Sequence, residues 1–269
     1  MSERHHNTRR DDALDALLRL IARHVSGFWG ALAAFAAVGI VIAAVLAILF
    51  IAVVQIVGAD ALQRMDESAL RALATYRSPG LDRIMLQITS LGNGVVLIVL
   101  ALVASVFLWL SHHRWSVYLL LVGMAGGKVL NSLLKAAFGR DRPSVVEWVY
   151  EVTSPSLPSG HAMGAFITYG TIAFLVGRLG TTRALRWATW IIAGVIILAI
   201  GLSRMYLGVH YPSDVLFGYL AGLAWLLFVI ATIRALQFFA PRRPETREEE
   251  QHLDSGPSGH SSAPRRAVS

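Results

Sequence analysis

Long apolar runs separated by short polar clusters dominate this chain. A helix needs roughly 20 mainly apolar residues to cross a bilayer. Six segments answer to that length and character: 32–57, 94–110, 115–138, 161–176, 187–203 and 214–236. Ahead of them, residues 11–24 carry Leu14, Leu17, Leu18 and Ile21 on one helical face, the spacing of an amphipathic helix lying in the membrane surface. From Pro241 onward the chain is rich in Pro, Arg, Glu, Ser and Gly with almost no large apolar side chains. Such a segment cannot bury a core and is expected to be disordered. The pattern predicts an all-α fold without internal repeats. Its parts are a cytoplasmic amphipathic segment over 1–26, a six-transmembrane-helix bundle over 27–240 and a polar tail over 241–269.

Composition agrees with a membrane protein: 55% of the 269 residues are hydrophobic and only 15% are charged. The net charge of +7 would suggest nucleic acid in a soluble protein. Here the Arg residues flank apolar runs, where anionic headgroups and topology account for them, so no nucleic-acid partner is expected. The absence of cysteine excludes thiol catalysis, disulfides and thiolate metal sites. The first apolar run begins too late and is too long for a cleavable signal, so it is expected to stay as an anchor.

Orientation follows from Arg4, Arg9, Arg10, Arg19 and Arg23 before the first span, Arg114 between the second and third, Arg178, Arg183 and Arg186 between the fourth and fifth, and Arg234, Arg242 and Arg243 at the end. With six spans all of these lie on one side, which the positive-inside rule makes cytoplasmic. The first outer loop runs against the trend with Arg64, Arg71, Arg77 and Arg83, balanced by Asp60, Asp66, Glu67 and Asp82. Parity then places the end of the third span, the start of the fourth, the end of the fifth and the start of the sixth together on the outer face.

Those four places carry the chain's candidate chemistry. Lys135 sits in the last turns of the third span, with Arg142-Pro143 in the loop beyond. Pro158-Ser159-Gly160-His161 opens the fourth span. Ser159 can cap that helix, whose N-terminus offers free N–H groups and a positive dipole end to a phosphate oxygen. Ser203-Arg204 closes the fifth span, and His210, Pro212 and Asp214 open the sixth. A carboxylate bonded to one imidazole nitrogen leaves the other free to attack, and a guanidinium suits bidentate phosphate binding. Cations at a span's centre cost about 2.5–3.5 kcal/mol each on insertion scales, and less near an interface; a shared anion offsets that cost. The tetrapeptide alone is weak evidence, since Pro257-Ser258-Gly259-His260 repeats it in the tail without partners.

Lys-x6-Arg-Pro, Pro-Ser-Gly-His and Ser-Arg-x5-His-x3-Asp, in that order, resemble the signature of the type-2 phosphatidic acid phosphatase superfamily. The resemblance covers about residues 81–236, including the Ile88-Thr89-Ser90-Leu91-Gly92 approach to the second span. It implies a lipid-phosphate phosphatase needing no metal or cofactor. His210 would be the nucleophile, forming a phospho-histidine, with Asp214 orienting it and His161 protonating the leaving group. Lys135, Arg142, Arg204 and the backbone near Ser159 and Gly160 would hold the non-bridging oxygens. Expected substrates are undecaprenyl diphosphate, phosphatidylglycerol phosphate or phosphatidic acid, at the outer face of an inner (plasma) membrane.

Two other classes remain open at this level. An intramembrane serine protease can have six spans and a Ser/His pair, but gives three cations no task. A lipid-phosphate carrier needs the cations, but neither imidazole. Other polar residues have blander readings. Arg140 and Asp141 read as a local loop ion pair. Lys128 and Asn131 read as either a functional pair or a helix–helix hydrogen bond. Trp148, Tyr150, Tyr206 and Tyr211 read as interfacial aromatics, and His5, His6, His112, His113 and His252 as solvated surface. Gly126-Gly127 reads as a close helix contact.

Overall fold

The computed structural model describes residues 59–179 and 182–239, with isolated positions 41, 44, 45, 48 and 52 before them. Among the described residues every regular element is an α-helix: α1 (Ala59–Ala74), α2 (Pro79–Ser90), α3 (Gly94–Leu110), α4 (Arg114–Phe138), α5 (Gly160–Leu179), α6 (Arg183–Tyr206) and α7 (Pro212–Phe239). The expected amphipathic segment at 11–24, most of the first expected span and the polar tail lie outside the described residues.

Local chemistry sets the helix ends. Ser78 caps α2 by accepting from Leu81 N, with Pro79 opening the helix. Asn93 caps α3 through Val95 N, and Thr182 caps α6 through Leu185 N. Gly139 ends α4 in the left-handed region at φ 56°, its N–H returning to Lys135 O, a conformation that L side chains resist. That turn throws the chain into an irregular segment, 140–159, which carries Arg140 and Arg142 back over the end of the bundle.

Four helices, α4 to α7, are long and apolar enough to cross a membrane; α2 and α3, bent by 45° at their junction, together make up to a fifth crossing. The second expected span, 94–110, is therefore the second half of a bent pair rather than a free-standing helix. The expected loop ahead of it is also helical, forming α1 and α2. Its alternation of acids, arginines and apolar residues hides a helical period from a search for span length. In α1, Asp66 and Leu70, one turn apart, are the buried residues.

The central helix is α5, which packs most extensively on α6, α7 and α4. Lipid tails provide no hydrophobic drive for helices to associate, so close approach and interhelical hydrogen bonds carry the bundle. Gly126 and Gly127 serve the contact expected of them: an added Cβ would fall 2.2 Å from Trp225 Cζ2 and 2.4 Å from Ile167 Cδ1 respectively. Trp225 Nε1 donates to Gly123 O at 2.7 Å on the same seam. The outer faces of α3, α4 and α6 stay apolar and exposed, through residues such as Val103, Phe107, Val129, Ile191 and Leu198, as lipid-facing surfaces should.

Candidate active site

Three loops and four helix ends meet at one end of the bundle: the junction of α2 and α3, the 140–159 segment, and the turn from α6 to α7. All eight residues picked out by sequence are found there. Ser159 is buried and caps α5, its Oγ 3.5 Å from Ala162 N. Its own N–H already donates to Asp214 O at 3.0 Å. The backbone donors left at this mouth are those of Gly160 and His161, which a helix's first turn leaves unpaired. Gly160 packs closely on α4: an added Cβ would sit 3.1 Å from Asn131 Oδ1, which would have to give way by a few tenths of an ångström. The His161 ring lies against Gly92, where an added Cβ would approach its Cδ2 to 3.3 Å. The cations acting on His161 are Arg142, Lys128 and Lys135.

The three predicted cations hold neutral acceptors. Lys135 Nζ donates to Pro155 O. Arg142 donates from Nε to Ser154 O at 2.7 Å, from Nη2 to Ser154 Oγ at 3.2 Å and from Nη1 to Val209 O. Arg204 is 1% exposed, and its Nη1 reaches Thr89 Oγ1 at 2.9 Å and the Tyr150 hydroxyl. Among the described residues none of the three has a carboxylate within 4.0 Å. An arriving anion thus displaces carbonyls and hydroxyls, not a competing ion pair. Burial also holds the Arg142 guanidinium below its ordinary pKa, the response of a cation short of negative charge.

His210 is 2% exposed, and Asp214 is wholly enclosed. Burial pushes the imidazole down to about 3, the Arg204 and Arg142 cations adding to that while Asp214 opposes it. The ring is therefore neutral across the physiological range. Its Nδ1 lies 3.6 Å from Asp214 Oδ2, too long for the direct hydrogen bond that the sequence suggested. Ser156 stands between them, donating to Asp214 Oδ2 with its Oγ 3.4 Å from His210 Nδ1. A hydroxyl can donate once and still accept. The arrangement suits an Nδ1–H tautomer, leaving the Nε2 lone pair facing Arg142 Nη1 at 3.4 Å.

The carboxylates are served by a fourth cation. Arg140 donates to Asp214 Oδ1 at 2.8 Å and to Asp66 Oδ2 at 2.8 Å, and stacks on Tyr211 with its Cζ 4.2 Å from the ring centroid. Burial alone would lower its pKa, but Asp214 and Asp66 outweigh that and raise it. The local Arg140–Asp141 pair read from sequence is thus replaced by two long-range pairs. Tyr150 and Tyr211, read as interfacial, are instead ring partners of Arg204 and Arg140. Tyr206 is buried, its hydroxyl donating to Asp82 at 2.8 Å. Asn131 makes the helix–helix contact allowed for it, to Met163 Sδ at 3.5 Å, while Lys128 is exposed.

Sequence reasoning missed Ser156, Gln63, the pairing of Thr89 with Arg204 and the role of Asp66. Ser156 and Thr89 carry no periodic signal. Asp66 does, because it sits one helical turn from Leu62 and Leu70, where a solvated acid would not be placed.

Long apolar helices that bring three cations without a carboxylate partner among the described residues and a buried imidazole to one shared end make an arrangement able to hold an anion. The sequence profile of the PAP2 superfamily matches residues 116–238. Phosphatidylglycerophosphatase B of Bacillus subtilis is 36% identical over 182 residues, 67% of this chain and 88% of the relative. Undecaprenyl-diphosphatase of the same organism is 32% identical over 155 residues, 55% of this chain and 72% of the relative. The crystal structure of a transmembrane PAP2 type phosphatidylglycerolphosphate phosphatase from Bacillus subtilis superposes with a TM-score of 0.64 at 32% identity, covering 74% of this chain and 97% of that one. The chain belongs to the PAP2 superfamily, and is a membrane phosphatase of that superfamily.

Proposed function

We propose that this protein hydrolyses lipid phosphates or diphosphates at the outer face of a cell inner (plasma) membrane, through a phospho-histidine. The observation that carries the reading is the set of three cations, Lys135, Arg142 and Arg204, held on neutral acceptors beside the neutral His210 ring. His210 Nε2 attacks phosphorus. The bond from phosphorus to the leaving oxygen breaks, and its electron pair departs on that oxygen, which takes a proton from His161. Ser156 and Asp214 carry the charge that develops on the His210 ring. Lys135, Arg142, Arg204 and the α5 mouth at Ser159 and Gly160 hold the non-bridging oxygens. His161 then takes a proton from water, the water oxygen attacks phosphorus, the P–N bond breaks and His210 is restored. No metal takes part.

A lipid substrate suits a site at the ends of helices whose outer faces are apolar, since a headgroup can reach it while its tails stay in lipid. The names of the two Bacillus relatives point to phosphatidylglycerol phosphate and undecaprenyl diphosphate, with phosphatidic acid a third candidate. We take six crossings, the first of them largely outside the described residues, with the arginine-flanked ends of α4, α5, α6 and α7 on the cytoplasmic side and the site on the other. The test is phosphate release from these three lipids by purified wild type and His210→Ala, with chelator present. Wild type should cleave at least one lipid and form an acid-labile phospho-histidine, and His210→Ala should do neither. An active His210→Ala variant would remove the nucleophile, and inhibition by the chelator would remove the metal-free mechanism. Headgroup binding without turnover would leave a carrier.

A further inference from the structure

Asp66 lies outside the three motifs and outside the residues that match the family profile, yet it is 3% exposed and among the most heavily bonded carboxylates of the described chain. Its Oδ1 accepts from Ser213 N at 3.0 Å, and its Oδ2 from Ser213 Oγ and from Arg140 Nη2 at 2.8 Å. Gln63, one turn earlier on α1, accepts from Arg140 Nη2 at 2.9 Å and donates to the Tyr211 hydroxyl at 2.9 Å. Arg140 Nη1 meanwhile binds Ser213 Oγ at 2.7 Å and Asp214 Oδ1 at 2.8 Å. The two ends of one guanidinium are therefore shared between two helices.

That division has a consequence for Asp214. A guanidinium and a carboxylate left to themselves pair fork to fork, both oxygens taken. Here Asp214 gives Arg140 only Oδ1, and Oδ2 stays with Tyr211 N at 2.9 Å and with Ser156. Ser156 is the group that reaches His210 Nδ1. The charges also count: two carboxylates on one guanidinium leave the trio net negative, next to a ring that becomes cationic when phosphorylated.

We infer that Asp66 is a positioning residue for the phosphatase reaction, holding one arm of Arg140 on α1 so that Asp214 Oδ2 remains available to Ser156 and His210. This rests on the proposed roles of His210 and Asp214. Without Asp66 the freed arm of Arg140 closes on Asp214, and Oδ2 leaves Ser156. Lys135, Arg142 and Arg204 do not touch Asp66, so phosphate binding is untouched and the chemical step slows.

The test uses the full chain in detergent, with phosphatidylglycerol phosphate as substrate and inorganic phosphate as competing product. Asp66→Asn should lower kcat roughly 10- to 100-fold, the worth of one charge-assisted hydrogen bond. KM and the phosphate inhibition constant should stay within about 2-fold, since those cations are retained. Asp66→Glu should restore part of kcat. Adding Asp66→Asn to Arg140→Gln should cost nothing beyond Arg140→Gln alone, because Asp66 acts through Arg140. Asp66→Asn keeps an acceptor for Ser213 N but loses the charge-assisted bond from Arg140, so its thermal midpoint should fall, and kcat is read on the folded variant below that midpoint. Unchanged kcat in Asp66→Asn would overturn the inference while a dead His210→Ala left the reaction itself standing. Losses that multiply in the double variant, or that fall equally on the phosphate inhibition constant, would show a merely structural role and overturn it too. If Asp66→Asn unfolds, Asp66→Glu decides: a folded Asp66→Glu with lowered kcat at unchanged KM and phosphate inhibition constant supports the positioning role, and one with wild-type kcat, or with binding weakened as far as kcat falls, refutes it.

Discussion

Gly218, one turn beyond Asp214 on α7, tests how tightly the site depends on the crossing of α5 and α7. A Cβ added there would stand 2.9 Å from Ser159 O, 3.2 Å from Ala162 Cβ and 3.4 Å from Met163 N. Ordinary contact begins at 3.4 Å, so the first of these is about 0.5 Å too close, and two of the three neighbours are backbone atoms, which no rotamer change can move. Gly218→Ala must therefore push the mouth of α5 away from α7. The bond from Ser159 N to Asp214 O, 3.0 Å long, is the first to stretch, and His161 shifts with its helix relative to His210. Overpacking of this kind costs about 1–3 kcal/mol. A misplacement of about 1 Å can cost 10²-fold in rate, so half that distance should lower kcat by roughly 10-fold. The assay is kcat and thermal midpoint in detergent beside Gly194→Ala, whose added Cβ meets nothing within 4 Å. That control should keep full activity and gain at most about 1 kcal/mol of helix stability. Gly218→Ala with wild-type kcat and midpoint would refute the reasoning.

Ser156→Ala removes the hydroxyl between Asp214 and His210 and should lower kcat roughly 10-fold with KM unchanged; equal kcat would show that Asp214 serves the ring directly. Arg204→Lys replaces a buried guanidinium, whose Nη1 serves both Thr89 and Tyr150, with a single ammonium, and kcat should fall about 10²-fold, as when one transition-state donor is lost. Full activity in that variant would exclude bidentate phosphate binding by Arg204. His210 has a folded pKa of about 3 against an ordinary 6.5. Between those values the unfolded chain binds a proton that the folded chain does not, so stability is present above pH 6.5 and is lost as pH falls towards 3, by about 1.4 kcal/mol per pH unit. The thermal midpoint from pH 7 to 5 should fall more steeply in wild type than in His210→Ala, and parallel slopes would contradict the buried neutral ring.

The site was legible to the degree that its chemistry is local. Lys135, Arg142, Arg204, His161, His210 and Asp214 lie at or just beyond the ends of apolar runs; taken singly each has a blander reading, as an interfacial anchor or a helix cap, and only the three motifs in order single them out. Ser156 belongs to none of the motifs, being one of several serines in an irregular segment, and its role depends on meeting a turn more than fifty residues away. Arg140 was misread because its nearest acid in sequence, Asp141, is not its nearest in space. The helices α1 and α2 were taken for loop because their mixed charge fails a test built for spans, although Leu62, Asp66 and Leu70 keep a helical period.

What the chain determines by itself is the four long apolar helices α4 to α7, because a bilayer forces backbone hydrogen bonding within each span; alternation of their directions then brings the end of α4, the start of α5, the end of α6 and the start of α7 together. The particular pairings were decided only in three dimensions: Arg140 between two acids, Ser156 between acid and imidazole, and the other cations left on carbonyls and hydroxyls. Those pairings depend on distances between helices, set by glycine contacts such as Gly126 with Trp225 and Gly218 with Ser159. No local preference encodes such distances, since they arise where two surfaces first touch.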